Sequence, residues 1–177
     1  LDERLRANLL GFDKENKMII LEKCEEIYDV NYEELIEFVK KFHKSTIHEG
    51  YVGYMNEREK YNDWLEYMNY FAKKWVKKTS IYIEDSKTKI DKLINYINKV
   101  NENNKTVCLI HRDIRKKNIG IKNGKYVLFD FELAIWGNPI WDFARMLYQV
   151  EDKKNEDIIY EKSGYNKKDL DVYKCIY

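Results

Sequence analysis

The chain has 177 residues, 44% hydrophobic and 36% charged, which suits one domain with a sizeable core and excludes a disordered segment. Lys+Arg 32 against Asp+Glu 31 leave a formal net charge of +1, so no overall field draws the chain to nucleic acid or to an anionic bilayer. Seven glycines and one proline are too few for a many-turned β-sandwich and point to long helices.

In chain order, Leu9-Leu10-Gly11-Phe12 and Met18-Ile19-Ile20-Leu21, separated by the polar stretch from Asp13 to Lys17, predict a small opening hairpin. Asn31 is placed to cap a helix with Glu34 at its third position and Leu35, Ile36, Val39, Phe42 and His43 on one face. From Glu57 to Trp75, the residues Tyr61, Trp64, Leu65, Met68, Phe71, Ala72 and Trp75 recur at spacings of three and four. They predict a long helix whose aromatic stripe is core. Lys73, Lys74, Lys77 and Lys78 at its end read as a solvated face that complements the helix dipole. Ile90, Leu93, Ile94, Ile97 and Val100 mark a third helix, ended by the polar run from Asn101 to Lys105. The texture then changes. Val107-Cys108-Leu109-Ile110 is a short buried strand, and Asn123-Gly124 between Ile119–Lys122 and Lys125–Phe129 is a two-residue hairpin signal.

Three scattered cysteines, Cys24, Cys108 and Cys175, give neither a disulfide framework nor a zinc motif, and a reducing cytoplasm is the expected location. No stretch approaches the ~18 apolar residues of a membrane-spanning helix, and Leu1-Asp2-Glu3-Arg4 is unlike a signal peptide.

The chemistry-bearing residues follow the buried strand: His111-Arg112-Asp113-Ile114-Arg115-Lys116-Lys117-Asn118, in the pattern H-R-D-x-x-x-x-N, then Asp130 within Phe129-Asp130-Phe131-Glu132. Transfer of a phosphoryl group needs oxygen ligands for magnesium and a carboxylate that accepts the proton of an attacking hydroxyl. Asn118 and Asp130 can supply the ligands and Asp113 the base. Taken singly, Asp113 and Asn118 are equally at home stabilising turns. Counting along the predicted hairpin from a Lys122–Lys125 pair places Asn118 opposite Phe129, with Asp130 one step beyond. Strict alternation would aim the two proposed ligands at opposite faces, so a bulge or a strand end must correct the parity. His111 is expected to be structural, orienting the loop or the Asp130 turn.

Leu109-Ile110-His111-Arg112-Asp113 with Asn118, then Phe129-Asp130-Phe131-Glu132, then Gly137-Asn138-Pro139-Ile140-Trp141-Asp142-Phe143-Ala144-Arg145 resemble the aminoglycoside phosphotransferase family of small-molecule kinases. The resemblance implies an α+β, predominantly helical fold: a protein-kinase-like C-terminal lobe with a short remnant of small-lobe strands. On this analogy Asp113 is the catalytic base, Asn118 and Asp130 hold Mg2+, His111 and Asp142 support the catalytic loop, and ATP or GTP is the donor. Protein kinases share the His-Arg-Asp wording but place a long activation segment and Ala-Pro-Glu after the metal-binding Asp. Here Asp130 and Asp142 stand close together and no Ala-Pro-Glu occurs. Two departures from the family pattern are Arg112, where Gly is usual, and Asn138, where Asp is common; Asn138 can still cap the helix that Pro139 opens. Arg112 and Arg115 add charge beside the base and are candidate phosphate contacts.

Upstream, Met18 to Cys24 resembles the hinge between kinase lobes, with Glu22, Lys23 and Cys24 as the nucleotide-binding segment. The division expected is 1–24 for remnant small-lobe strands and hinge, and 25–177 for the helical catalytic lobe with its hairpin. No Gly-rich phosphate loop and no strand lysine precede the opening hairpin, so the sequence reads as a large lobe cut from a fuller kinase, with little or no activity by itself. The acceptor is expected to be a hydroxylated small molecule, by family analogy one of aminoglycoside type and cationic. Glu57, Glu59, Asp63 and Glu66 can attract an amine, or simply form a solvated helix face. A catalytically silent kinase-like module that binds a nucleotide or a protein is the alternative; nucleic-acid binding through Arg112, Arg115, Lys116, Lys117 and the Lys73–Lys78 cluster ranks last.

Overall fold

The computed structural model describes residues 6–13, 15, 18–54 and 59–177. Strands β1 (Leu9–Asp13) and β2 (Met18–Leu21) form the opening antiparallel hairpin, with an irregularity between Leu9 and Gly11. Most of its turn lies outside the described residues. Helix α1 (Tyr32–Ser45) starts as its sequence dictates: Asn31 Oδ1 accepts the N–H groups of Glu33 (3.1 Å) and Glu34 (3.3 Å), while Asn31 Nδ2 donates to Glu34 Oε1 at 3.0 Å. Its face of Leu35, Ile36, Val39, Phe42 and His43 is buried.

Strands β3 (Val52–Tyr54) and β4 (Lys60–Tyr61) lead to α2 (Trp64–Thr79) and α3 (Ser86–Asn103). Helix α2 begins later than the spacing of apolar residues suggests, because Asp63 Oδ1 accepts the Glu66 N–H at 2.8 Å and fixes the start there. Glu57, expected within this helix, lies outside the described residues. Leu65 does not belong to the inner stripe: it is 46% exposed, whereas Tyr67 is fully buried. Counting from Trp64, the inward positions are 67, 68, 71, 72 and 75, and Leu65 falls one residue off that face.

Strand β5 (Cys108–Ile110), the hairpin strands β6 (Ile119–Lys122) and β7 (Lys125–Leu128), and β8 (Ile135–Gly137) complete the β structure. The central sheet has the order β4-β3-β8-β5 and is antiparallel throughout. Helices α4 (Ile140–Gln149), α5 (Lys153–Lys162) and α6 (Lys167–Lys174) close the lobe. Asn138 Oδ1 accepts the Ile140 N–H at 3.1 Å at the start of α4, the capping expected of Asn138-Pro139. Trp141 of α4 is the aromatic centre of the core, edge-on to Trp64, Phe71 and Tyr173. Among the described residues no helix is long and apolar enough to cross a membrane, and the three cysteines are free.

Candidate functional site

The buried strand β5 delivers the chain directly into the loop from His111 to Asn118, and α4 supplies the group that shapes it. Asp142, in the first turn of α4 and 0% exposed, accepts the backbone N–H of His111 at 2.9 Å and of Arg112 at 2.6 Å. Its Oδ2 also receives His43 Nε2 from α1 at 2.8 Å. One buried carboxylate thus ties two helices to the loop and holds Arg112 in a left-handed conformation, φ 67°, that a non-glycine residue adopts only under constraint. The His111 ring is a second strut. Nε2 meets Phe129 O at 2.6 Å and Nδ1 receives the Asp113 N–H at 3.3 Å; a carbonyl partner on one nitrogen and an N–H on the other assign the proton to Nε2.

Asp113, 5% exposed, and Asn118 are in direct contact: Asn118 Nδ2 donates to Asp113 Oδ2 at 2.8 Å and to its backbone O at 2.9 Å. The hairpin register is the predicted one, Lys122 opposite Lys125 and Ile119 opposite Leu128, with Phe129 N donating to Asn118 O at 2.9 Å. Asn123 and Gly124 turn it with φ of 52° and 71°, the doubly left-handed turn that suits this pair. The parity problem is resolved at the far end. Strand β7 stops at Leu128, Asp130 turns left-handed at φ 61°, and a short 3-10 turn over Lys116–Asn118 precedes β6, so neither ligand candidate obeys strand alternation. Asp130 is exposed and engages no ion pair or side-chain hydrogen bond among the described residues.

Two arginines flank Asp113. Arg115 Nη2 lies 2.7 Å from Oδ2, and Arg145 of α4 reaches Oδ1 with Nη2 at 2.8 Å and Nε at 3.2 Å. Burial opposes the charge on Asp113, but the Arg145 hydrogen bond, the charges of Arg145 and Arg115 and the Asn118 bond outweigh it, and its carboxyl is held below the usual range. Arg145 closes the motif from Gly137 that carries the resemblance, but the sequence gives it no role; its place here follows from its spacing of three from Asp142 on one helix face. Arg112 is not among the groups around Asp113: its guanidinium lies over the rings of Trp141 (4.9 Å) and Phe71 (5.5 Å) and bonds Leu133 O at 3.4 Å.

Glu22, Lys23 and Cys24 run beside the hairpin. Glu22 N donates to Asn8 O (2.8 Å), Glu22 Oε2 pairs with Lys122 Nζ (2.8 Å), and Glu25 exchanges both backbone bonds with Ile121. Between those pairings the backbone N–H and C=O of Lys23 and Cys24 make no hydrogen bond among the described residues. The approach is close: a Cβ on Gly120 would meet Phe129 Cε2 at 2.6 Å and Cys24 Cβ at 3.1 Å. The acidic residues of α2 and its approach are already used locally, Glu59 with Tyr70, Asp63 as cap and Glu66 with Asn62. Lys73, Lys74, Lys77 and Lys78 are exposed.

The oxygen donors fit magnesium. Asn118 spends its amide N–H on Asp113, which leaves Oδ1 as the atom for a hard cation, and Asp130 keeps a solvent-facing carboxylate. Among the described residues no three His, Cys, Asp or Glu side chains form a cage.

The sequence matches the model of the phosphotransferase enzyme family, APH, over residues 23–173. The chain belongs to that family. No curated protein matches it. Solved structures that it resembles include choline kinase LicA from Streptococcus pneumoniae, at 15% identity and TM-score 0.60, with 96% of this chain and 62% of that chain covered. A thermostable mutant of aminoglycoside phosphotransferase APH(4)-Ia follows at 15% identity and TM-score 0.63, covering 98% and 67%. ADP-bound aminoglycoside phosphotransferase APH(2'')-Ib stands at 16% identity and TM-score 0.59, covering 97% and 63%. At these identities the likeness establishes the kinase-like fold. The chain spans about three fifths of the LicA structure's length.

Proposed function

We propose that this chain is the hinge and catalytic lobe, divided near residue 24, of a small-molecule O-phosphotransferase that uses Mg2+ with ATP or GTP. The observation that carries the reading is the contact of Asp113 with Asn118 at the end of a hairpin whose next turn presents Asp130. Asn118 Oδ1 and the Asp130 carboxylate would hold the metal, which when bound neutralises charge on the phosphate oxygens. The backbone groups of Lys23 and Cys24, without hydrogen-bond partners among the described residues, suit the hydrogen-bonding edge of a purine. Asp113 accepts the proton of the acceptor hydroxyl as its oxygen bonds the γ-phosphorus and the bond to the β–γ bridging oxygen breaks, releasing nucleoside diphosphate. A depressed pKa makes Asp113 a poor base but a good orienting acceptor, which is what a loose transition state asks of it. Arg115, on the loop beside Asp113, is the candidate phosphate contact; the placement of Arg112 over two rings gives it no such role.

A cleft of about 350 Å³ opens beside the loop, lined among others by Arg115, Lys116, Asp29, Glu151 and Asp152. Arg115 is paired with Asp113 and Lys116 Nζ with Tyr28 O at 2.6 Å. Asp152 is spent as the cap of α5, accepting Asn155 N at 2.8 Å and Nδ2 at 2.7 Å, and Asp113, Asn118 and Asp130 do not line this cleft, so it does not decide the acceptor. A cationic hydroxylated acceptor, such as an aminated sugar or an amino alcohol, rests on the family alone.

The test is transfer from labelled ATP and GTP to a panel of such acceptors by the complete gene product, alongside thermal-shift titration with each nucleotide. Transfer that Asp113→Asn abolishes without unfolding is expected, and little transfer by the 177-residue chain alone. Binding without transfer across the panel would instead favour the silent module, and robust turnover by the 177-residue chain would contradict the view that phosphate positioning comes from outside it.

A further inference from the structure

An ionised carboxylate offers about four lone-pair positions, and on Asp113 three are hydrogen-bonded. Oδ1 receives Arg145 Nε at 3.2 Å and Nη2 at 2.8 Å, and Oδ2 receives Asn118 Nδ2 at 2.8 Å. Arg115 Nη2 stands 2.7 Å from Oδ2 as an ion pair, across the position left for an acceptor hydroxyl. The three side chains differ sharply in how firmly they are held.

Asn118 is buried and has a second bond, to Asp113 O. The Arg145 side chain is 14% exposed. It rises from α4 three residues after Asp142, and its guanidinium lies over the Tyr177 ring at 4.8 Å and the Tyr148 ring at 5.6 Å. Arg115 is 35% exposed and springs from the loop itself, and its Nε, cut off from solvent, has no hydrogen-bond partner. Arg115 is the cation that can leave, whereas Arg145 stays.

We propose, on the phosphotransferase reading above, that Arg145 is the positioning residue for Asp113: its two N–H groups anchor Oδ1 and, with Asn118 on Oδ2, fix the carboxylate plane so that Oδ2, once Arg115 withdraws, faces the acceptor hydroxyl. Arg145 touches no reacting atom. One helix thus sets both levels of the site, with Asp142 holding the loop backbone and Arg145 the side chain that the loop carries. Two donors held in one plane on a single oxygen fix where that oxygen sits, and an ammonium at the same place supplies the charge without two donors in a fixed geometry.

The experiment is steady-state transfer from ATP or GTP, to water and to the hydroxylated amines above, by the complete gene product carrying Arg145→Ala or Arg145→Lys. Misplacing a reacting group by an ångström costs up to about 100-fold, and Arg145→Ala is expected to lower kcat about 10- to 100-fold with the nucleotide KM within about twofold of wild type. Added guanidinium should restore part of the rate and saturate, and Arg145→Lys should fall between. The proposal is overturned if kcat of Arg145→Ala stays within about twofold of wild type. It is equally overturned if kcat falls in variants that still melt cooperatively while neither guanidinium nor lysine recovers any rate, since the contact is then only structural. Should Arg145→Ala fail to fold, Arg145→Lys decides: full kcat contradicts the two-donor anchor, and a reduced kcat at unchanged nucleotide KM supports it. A wild-type protein that neither binds nucleotide nor transfers phosphate sinks the phosphotransferase reading, and this role with it; active wild type with indifferent Arg145 variants sinks this role alone.

Discussion

Replacing Asp142 should cost more than any other single polar substitution in the lobe. The side chain is 0% exposed and accepts three donors: His111 N at 2.9 Å, Arg112 N at 2.6 Å and His43 Nε2 at 2.8 Å. A hydrogen bond to a charged group contributes about 1.5–3 kcal/mol, and each buried donor left unmatched costs about 1–3 kcal/mol. These terms share one carboxylate and do not add. Relaxation of Arg112 from its left-handed φ of 67° returns about 1–2 kcal/mol. Asp142→Ala is thus expected to lose about 3–4 kcal/mol, out of the 5–15 kcal/mol typical of a domain. Asp142→Asn keeps one acceptor but turns an NH2 toward facing donors, and should lose about 2–3 kcal/mol. Urea unfolding followed by far-UV circular dichroism and by tryptophan fluorescence, which reports on Trp141 beside the substitution, measures both, provided the two probes coincide. A loss below about 1 kcal/mol for Asp142→Ala, the size of an ordinary surface change, would refute the claim that this carboxylate organises the loop.

Two further outcomes follow from the same geometry. Because the pKa of Asp113 is lowered in the folded protein, its ion pairs contribute stability that is fully present above the unfolded value of about 3.9 and is lost as pH falls through the lower folded value. Urea midpoints between pH 5 and pH 2 should accordingly fall more steeply for wild type than for Asp113→Asn, and parallel slopes would contradict the ionic contacts. Gly120→Ala places a methyl 2.6 Å from Phe129 Cε2 and 3.1 Å from Cys24 Cβ; it should destabilise by about 1–3 kcal/mol and weaken nucleotide binding in calorimetric titration, whereas unchanged affinity would separate the hinge segment from the nucleotide site.

The parts of this architecture that rest on local chemistry were legible in the sequence. Asn31 with Glu34, and Asn123-Gly124 between two short strands, each determine a structure within a few residues, and both formed in the expected register. The need for a break in alternation between Asn118 and Asp130 was also legible, although not its form, since the left-handed turn at Asp130 depends on what His111 and β8 do around it. The start of α2 was misplaced because apolar periodicity outlasted the Asp63 cap. Strands β3, β4 and β8, two or three residues each, are too short for alternation to register and exist through their pairing partners. Arg145 stands in the quoted motif without a role for a related reason: nothing in its neighbourhood along the chain shows that α4 packs with that face on the loop from His111 to Asn118.

The central claim is that Asn118 and Asp130 meet at a divalent-cation site beside Asp113. It is tested most directly by titrating the isotope-labelled protein with Mn2+ and ATP and following paramagnetic broadening of backbone amides. Broadening centred on Asp113, Asn118, Phe129 and Asp130, and abolished in Asp130→Asn while the fold persists, is the predicted result. Broadening that is centred elsewhere, or that survives Asp130→Asn unchanged, would contradict it.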